Sequence, residues 1–476
     1  AAGEAVIRSA AVVADGVVDI AEDCHATIKG FVVEARNRTD STGAHLIYVE
    51  AKNATLQTVT IENNIIGPVT GADQDGNKGR FGLLFDSQSG GPNGVSGSVR
   101  GNKILGAEGN GANCSLIAQH YNPSMSDYSG MTIEDNDIYG ANRSGVEIAG
   151  GVRNLTVRDN WIAYNGYIWN GSAYVQSAKS LTVPNNIVYG AGVNLIRTGT
   201  ICGTAPATQN AIENLVLSGN TITRNEKSGV YVDAQQRDLS ILDNEITENG
   251  RDGIWLDEYG TYNESKAYNE AYGYIQNAVI NGNRITGAAG AYAAIRVVGK
   301  PLNLSISDNS LAGTVAGVVQ NDGIGQSWDY TADASGNWWG AADAAGVAAL
   351  VAGSVDYSPW LAVGTDTDGG ALGFKGDFDT LWVDDDSPQT GAIGRIQEGA
   401  NLVVNGGTVN VAAGTYAEDV VITTPLTLLG PNADKTGFDA ARVGEAILIP
   451  SEMKVDLDEP YPGKNDFTIV AVQTNN

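Results

Sequence analysis

An internal repeat restricts this chain more than any other feature. A unit of the form apolar-x-apolar-x-x-Asn-x-apolar returns along most of its length. It reads MTIEDNDIYG around Asn136, LTVRDNWIAY around Asn160, LTVPNNIVYG around Asn186 and LVLSGNTITRN around Asn220. It recurs as LSILDNEITEN around Asn244, AVINGNRITG around Asn283 and LSISDNSLAG around Asn309. Weaker copies carry Asn64 and Asn102, and Asn337 closes the series. The spacing between successive Asn runs from 24 residues (Asn136 to Asn160, Asn220 to Asn244) to 39 (Asn244 to Asn283).

A period of about two dozen residues holds two or three short strands and the turns that join them, so stacked units pair strand on strand about 4.8 Å apart. Alternation within each unit sends Ile, Val and Leu inward and Thr, Arg and Glu outward. An Asn at a fixed turn can bond the equivalent Asn one coil away, and Asn136, Asn160, Asn186, Asn220, Asn244, Asn283 and Asn309 are read as such a structural ladder. A longer spacing marks a loop extruded at a turn, as read at Gln74–Gly94 and Tyr259–Tyr274. A second strand follows each Asn strand: GLLFD (82–86), GVEIA (145–149), GVYVD (229–233) and GIWLD (253–257).

Over about residues 1–340 this pairing of elements resembles the right-handed parallel β-helix repeat proteins of the pectate-lyase-like superfamily. The resemblance implies an all-β solenoid. It implies no single activity, because that superfamily hosts lyases, hydrolases, epimerases, adhesins and inert stalks.

The C-terminal third divides further. Residues 341–362 are expected to form a short apolar capping helix (Ala341–Ala352) and a closing segment, with Trp338, Trp339 and Trp360 plugging the coil. Residues 363–395 are Gly- and Asp-rich and read as a solvated linker. Residues 396–476 open with IQEGANLVVNGGTVNVAAGTY, which resembles the start of a new β-helix. They then repeat the chain's own beginning. Gly444-Glu-Ala-Ile-Leu448 matches Gly3-Glu-Ala-Val-Ile7, and Phe467-Thr-Ile469 matches Phe31-Val-Val33. The expectation is that blocks continue one another head to tail, as a tandem protein or as subunits, through Gly3, Val6, Ile7, Phe31, Gly444, Ile447, Leu448 and Phe467.

Composition narrows the partners. A formal net charge of -27 disfavours nucleic acid and anionic membrane surfaces, and leaves copies of itself, neutral or cationic glycans and calcium. No stretch approaches the ~20 apolar residues of a membrane span. Cys24, Cys114 and Cys202 have no metal-ligand spacing and are read as core positions. The reading is of an extracellular or cell-surface protein.

Chemistry concentrates on the second strand. Aligning its copies puts Glu147, Tyr174, Tyr231 and Trp255 at one outward position, and Asp86, Gln119, Gln176, Asp233 and Asp257 two residues later. Asp233 and Asp257 should then lie on adjacent coils, about 5 Å apart. Such a pair can share a proton, hold calcium or serve a retaining glycosidase, with Tyr174, Tyr231 and Trp255 as a sugar platform. Stacked Asp are also ordinary turn residues, and stacked aromatics stabilise parallel strands without a ligand. No nucleophile elbow, phosphate loop or zinc spacing occurs, and His25, His45 and His120 are scattered. His120 reads as a surface residue at a turn. A calcium role for Asp366, Asp368, Asp384 and Asp386 is open, although DTDGG lacks the distal Glu of a calcium loop. The leading expectation is a non-enzymatic structural or adhesive rod. The alternative is a polysaccharide-binding, lyase or hydrolase protein centred on Asp233 and Asp257.

Overall fold

A computed structural model of the chain describes residues 5–9, 16–21, 23–38, 45–50, 56–71, 81–86, 94–106, 114–120, 126–169, 172–176, 190–196, 211–233, 236–258, 275–287, 292–320, 330–450 and 470–472. The repeat folds into three long parallel sheets. Sheet 1 has nine strands, from Ala5–Ser9 to Arg284–Thr286. Sheet 2 has eleven, from Gly16–Ile20 to Val351–Ala352. Sheet 3 has nine, from Ala26–Lys29 to Ser305–Ser307. The chain visits sheets 3, 1 and 2 in turn and then pairs with the coil before, as in Leu56–Glu62, Ile65–Gly71 and Phe81–Asp86.

The alternation in the sequence becomes the in-and-out facing of these strands. Ile61, Val99, Ile133, Val157, Leu217 and Ile241 stack down sheet 3 into one continuous core, all almost completely buried. The Asn unit lies where sheet 3 turns into sheet 1. There a polar ladder runs beside the apolar one. The Nδ2 of Asn64 donates to Oδ1 of Asn102, and the same bond continues through Asn136, Asn160, Asn220, Asn244, Asn283 and Asn309 to Asn337, each at 2.9–3.0 Å. Each amide also meets a backbone carbonyl, as Asn244 meets Leu217 at 3.0 Å, so these buried polar groups are satisfied.

The residue before each rung turns left-handed. Asp159, Asp243 and Asp308 have φ of 58°, 54° and 55°, and Gly219 and Gly282 have 62° and 71°. Asp and Gly tolerate this region better than other residues. At Gly282 a Cβ would also meet Oδ1 of Asp243 at 2.1 Å, so a larger residue there would have to displace that carboxylate.

Several sequence expectations need correction. Asn186 lies outside the described residues, and the ladder passes from Asn160 straight to Asn220, so no rung stands between them. The coil holding both carries its extra length elsewhere: Trp161–Ala163 pairs directly with Thr221–Thr223, and an antiparallel hairpin of Tyr167–Trp169 and Tyr174–Gln176 is extruded. Most of Gln74–Gly94 and all of Tyr259–Tyr274 fall outside the described residues, but Phe81–Asp86 within the first is a sheet 2 strand. Cys24 is exposed rather than in the core; nothing is described of the Cys114 side chain or of Cys202.

The capping helix is shorter than expected. It spans Ala344–Ala348, with Asp343 capping it through Gly346 N, while Val351–Ala352 joins sheet 2 as a strand. The closing coil brings in Trp339 and Trp360, both fully buried, with Tyr357 against their edges.

The segment read as a solvated linker folds onto the solenoid. Phe374 N donates to Gly282 O at 2.7 Å, Gly376 N to Asp308 at 2.7 Å, and Arg284 pairs with Asp366 while lying over the Phe374 ring. Its residues 367–372 are nonetheless exposed, and Asp366 is the acidic residue of this stretch that the ion pair draws in. Thr380–Val383, inside that segment, is a strand whose Leu381 and Val383 are buried.

That strand makes a joint. It runs antiparallel to Trp360–Leu361 of the closing coil and parallel to Thr408–Val411, which pairs in turn with Thr427–Leu429. Helix Arg395–Leu402 covers this second core, with Ile396 packed among Leu381, Val383, Val409 and Tyr416. A second set of parallel strands is therefore joined to the end of the first through one antiparallel pair.

Candidate functional site

The outward row of sheet 2 is the best-defined polar constellation. Backbone register sets it coil by coil. Glu147 pairs with Asn194, Asn194 with Tyr231, Tyr231 with Trp255, and Trp255 with Arg296. Asp233 pairs with Asp257 two residues further on. Tyr174 and Gln176 do not belong to this row. They sit on the extruded hairpin, where Tyr174 stacks on Tyr164 at 4.5 Å, and Asn194 and Ile196 of GVNLI take their places. The dipeptide Gly192-Val193 was the available signal, since the copies GLLFD, GVEIA, GVYVD and GIWLD open Gly-Leu, Gly-Val or Gly-Ile.

These side chains are buried. Tyr231 is 0 % exposed, Asp233 1 %, Asp257 0 % and Trp255 7 %, so the aromatics are not an open platform. Tyr231 OH donates to Asp257 Oδ2 at 2.9 Å, reaching diagonally one coil along. The same diagonal recurs near the start, where Tyr48 OH meets Asp86 at 3.0 Å. Trp255 is flanked by cations: the Arg251 guanidinium lies 4.7 Å from its ring centre and Arg296 at 5.8 Å. Arg296 donates to the fully buried Asp252 at 3.0 Å. Burial pushes the Asp252 carboxyl up, and Arg296 opposes the shift.

Glu258, next to Asp257, is the most perturbed carboxyl here. Burial pushes it up to about 8, with the Asp257 charge adding to the rise. Amides of Lys300 (2.6 Å) and Ile275 (2.7 Å) bond its two oxygens and hold the shift in check. The bond from Ile275 N also ties together the residues that flank 259–274. This residue was missed, although GIWLDE showed it in sequence.

The histidines stand apart. His45 stacks on Phe81 and Tyr48, and burial lowers it to about 4; His25 accepts from Thr58 N; His120 ends strand Cys114–His120 instead of lying in a turn.

Two acidic groups lie away from sheet 2. Asp366 and Asp368, with Asp159, Asp243 and Asp308, line a cleft of about 600 Å³ between the folded-back segment and the coil turns. Asp384, Asp385 and Asp386 place carboxylate oxygens within 4.8 Å of one another, a grouping able to hold a metal ion, although Asp385 already accepts from Thr415 N at 2.7 Å.

A family model described as "Right handed beta helix region" matches residues 202–328. The match falls on the coils that carry Asn220, Asn244, Asn283 and Asn309, whose strands pair in parallel. The chain folds as a right-handed parallel β-helix. Among solved structures, the β-helix protein is similar to the catalytic unit of a thermostable GH87 α-1,3-glucanase from Streptomyces thermodiastaticus strain HF3-3 (14% identity, TM-score 0.37, 88% of this chain and 61% of that one). It is similar to the Dettilon tailspike protein (13% identity, TM-score 0.39, 90% and 62%). It is also similar to the A-module of the Azotobacter vinelandii mannuronan C-5 epimerase AlgE6 (15% identity, TM-score 0.38, 71% and 84%). The chain thus spans less than two thirds of the first two. These likenesses carry no information about its chemistry. No curated protein matches it.

Proposed function

We propose that this β-helix protein is a structural unit of an extended extracellular or cell-surface rod, in which blocks continue one another head to tail. The observation that carries the reading is the joint. Trp360–Leu361 closes one set of coils, and Thr380–Val383 pairs antiparallel with it and in parallel with Thr408–Val411. The reading is also supported by the outer coils. Ala5–Ser9, Gly16–Ile20 and Ala26–Lys29 lie at the edges of their sheets, with Ile7, Val18 and Ile28 only partly covered. Among the described residues Ala446–Ile449 and Val470–Val472 lie at edges too, with Ile447 51 % and Val470 44 % exposed. Such edges accept further strands through backbone hydrogen bonds.

Sedimentation velocity of the chain over a range of concentrations tests this. The expected result is association that grows with concentration and is lost in Leu448→Asp, where a charge would enter the inner face of the last coil. A monomer at all concentrations would overturn the proposal.

The in-register Asp233 and Asp257, beside Tyr231 and Trp255, favour a second reading as a polysaccharide-binding or polysaccharide-degrading protein. It requires that the cover over this row open to a ligand. A panel of neutral and acidic glycans, with Asp233→Ala and Asp257→Ala, tests it: binding or turnover that both variants abolish would favour it, and unchanged behaviour would remove it.

A further inference from the structure

The joint between the two cores gathers carboxyl groups from both sides. Asp333 and Asp356 come from the closing coils, opposite each other on the paired strands Ala332–Asp333 and Val355–Asp356. Glu398 comes from helix Arg395–Leu402, and Glu418 follows the strand Gly414–Ala417. Asp356 is fully buried and Glu418 is buried as well. Among the described residues none of the four makes an ion pair, and Arg395, one turn before Glu398, spends its guanidinium on Ser387 O. Their hydrogen-bond partners are neutral. Thr390 donates to Asp356 through N at 2.7 Å and Oγ1 at 3.0 Å, and Ser387 Oγ donates to it at 3.1 Å. Gln389 Nε2 donates to Glu398 at 3.1 Å, and the amides of Ile396 and Gln397 donate to Glu418. Residues 387–390 thus strap the closing coil to the helix of the second core.

A buried carboxylate without a cation is costly, and carboxylates held together resist ionising together. A cleft of about 360 Å³, lined by Asp333, Glu398, Tyr330, Thr390 and Ile393, lies beside the group, so water has a way in when the two sides part. The antiparallel pair of Trp360–Leu361 with Leu381 and Trp382 stands as a pivot. From this arrangement we infer that the joint is a proton-controlled hinge: the strap and helix 395–402 stay docked on the closing coils while Asp356 and Glu398 are protonated, and swing away from Asp333 and Asp356 when they ionise, with both cores still folded. The device lies within one chain and is independent of head-to-tail association. Burial raises Asp356, and the Thr390 and Ser387 bonds oppose the rise. Burial pushes Glu398 up to about 7, with Asp356, Asp333 and Glu418 adding to the rise and Gln389 opposing it. Tyr330, Tyr357 and Tyr416 border the same groups and, raised by burial, stay protonated throughout; Asp384, also raised by burial, faces Asp386, Asp385 and Arg395. Opening hydrates the carboxyls and returns them towards their ordinary range. Docking is therefore favoured fully below about pH 4.5 and weakens as pH rises through about 7.

Hydrogen exchange read by mass spectrometry on the full chain tests the hinge. Wild type is compared with Glu398→Gln at the same pH, so that the intrinsic pH dependence of exchange cancels. Gln keeps an acceptor for Gln389 and removes the charge. At about pH 8.5 residues 387–402 should exchange about tenfold faster in the wild type than in the variant, a figure discounted from the full shift because Glu398 is partly exposed. At about pH 5.5, where docking is protonated in both, the two should exchange alike. Strand Arg237–Leu242, in the body of the first stack, should show no difference at either pH. Asp356→Asn reads the same quantity from the other side of the joint and serves if Glu398→Gln does not fold. Equal exchange of residues 387–402 in wild type and variants at the higher pH would overturn the inference. A difference spread equally over residues 237–242 would overturn it too, because it would report unfolding of the whole rod rather than movement at the joint.

Discussion

At the scale of single residues, the fold rests on polar side chains placed inside an apolar stack. Each ladder Asn, as Asn244 does, donates to the next side chain and to a carbonyl and accepts from the backbone and side chain of the Asn before it. Removing one therefore strands several buried donors at once. Asn244→Ala leaves Asn220 N and Nδ2, at 2.9 and 3.0 Å from the missing oxygen, without their acceptor. An unmet buried donor costs about 1–3 kcal/mol, so the variant should unfold at clearly lower urea concentration by circular dichroism, whereas Asn303→Asp, on the exposed face and tolerant of the left-handed φ of 56° there, should change little. The first ladder was legible because its Asn sits at a constant place in the motif. A second ladder was not recognised: Asn165, Asn225 and Asn249 bond in sequence at 2.8 and 2.9 Å. Its signal is present as a second Asn five positions after Asn160, Asn220 and Asn244. The Asp residues before the rungs are likewise explained by left-handed turns, a backbone demand that composition alone does not reveal.

At the scale of elements, the instructive departure is the coil between Asn160 and Asn220. The sequence around Asn186 imitates a repeat, yet the ladder bypasses it, because pairing is decided by which strand meets its neighbour over the core rather than by motif count. For the same reason Tyr174 lies off the row, at a place that Asn194 occupies. Adjacency of Asp233 and Asp257 was legible, since both end short strands of equal length one minimal coil apart; their burial was not, because outward facing on a strand does not reveal what covers it. Glu258 gives these elements a pH signature. Its folded pKa, about 8, lies above the ordinary 4.5, so the folded state holds its proton more tightly than the unfolded state. The stability this contributes is fully present below about pH 4.5 and is lost as pH rises through about 8. Glu398, raised to about 7 by burial and by Asp356, Asp333 and Glu418, acts in the same direction at the joint. Melting temperature should fall between pH 5 and pH 9, and Glu258→Gln should flatten that fall; an unchanged slope would contradict the assignment. The folded-back segment makes a separate prediction. Arg284→Ala removes the Asp366 ion pair and the Phe374 contact, and should speed proteolysis within residues 364–376 while leaving the sheets intact.

At the scale of the whole molecule, three parallel sheets closed around one core make a rod whose length grows by one strand spacing per coil. Eleven strands in sheet 2 span about 48 Å at about 4.8 Å each, before the second set of coils is added. Stability in such a stack is the sum of coil and interface terms, so the joint matters as much as any coil. There Trp360 meets Trp382 across antiparallel strands and the Arg395 guanidinium donates to Ser387 O, fastening the second core to the closing coil. The most direct test of the structural account is electron microscopy of the assembled protein. The account predicts unbranched filaments of constant width, with an axial repeat longer than about 48 Å and a cross-β spacing near 4.8 Å along the axis. Discrete particles one block long, at concentrations well above those used for sedimentation, would contradict it.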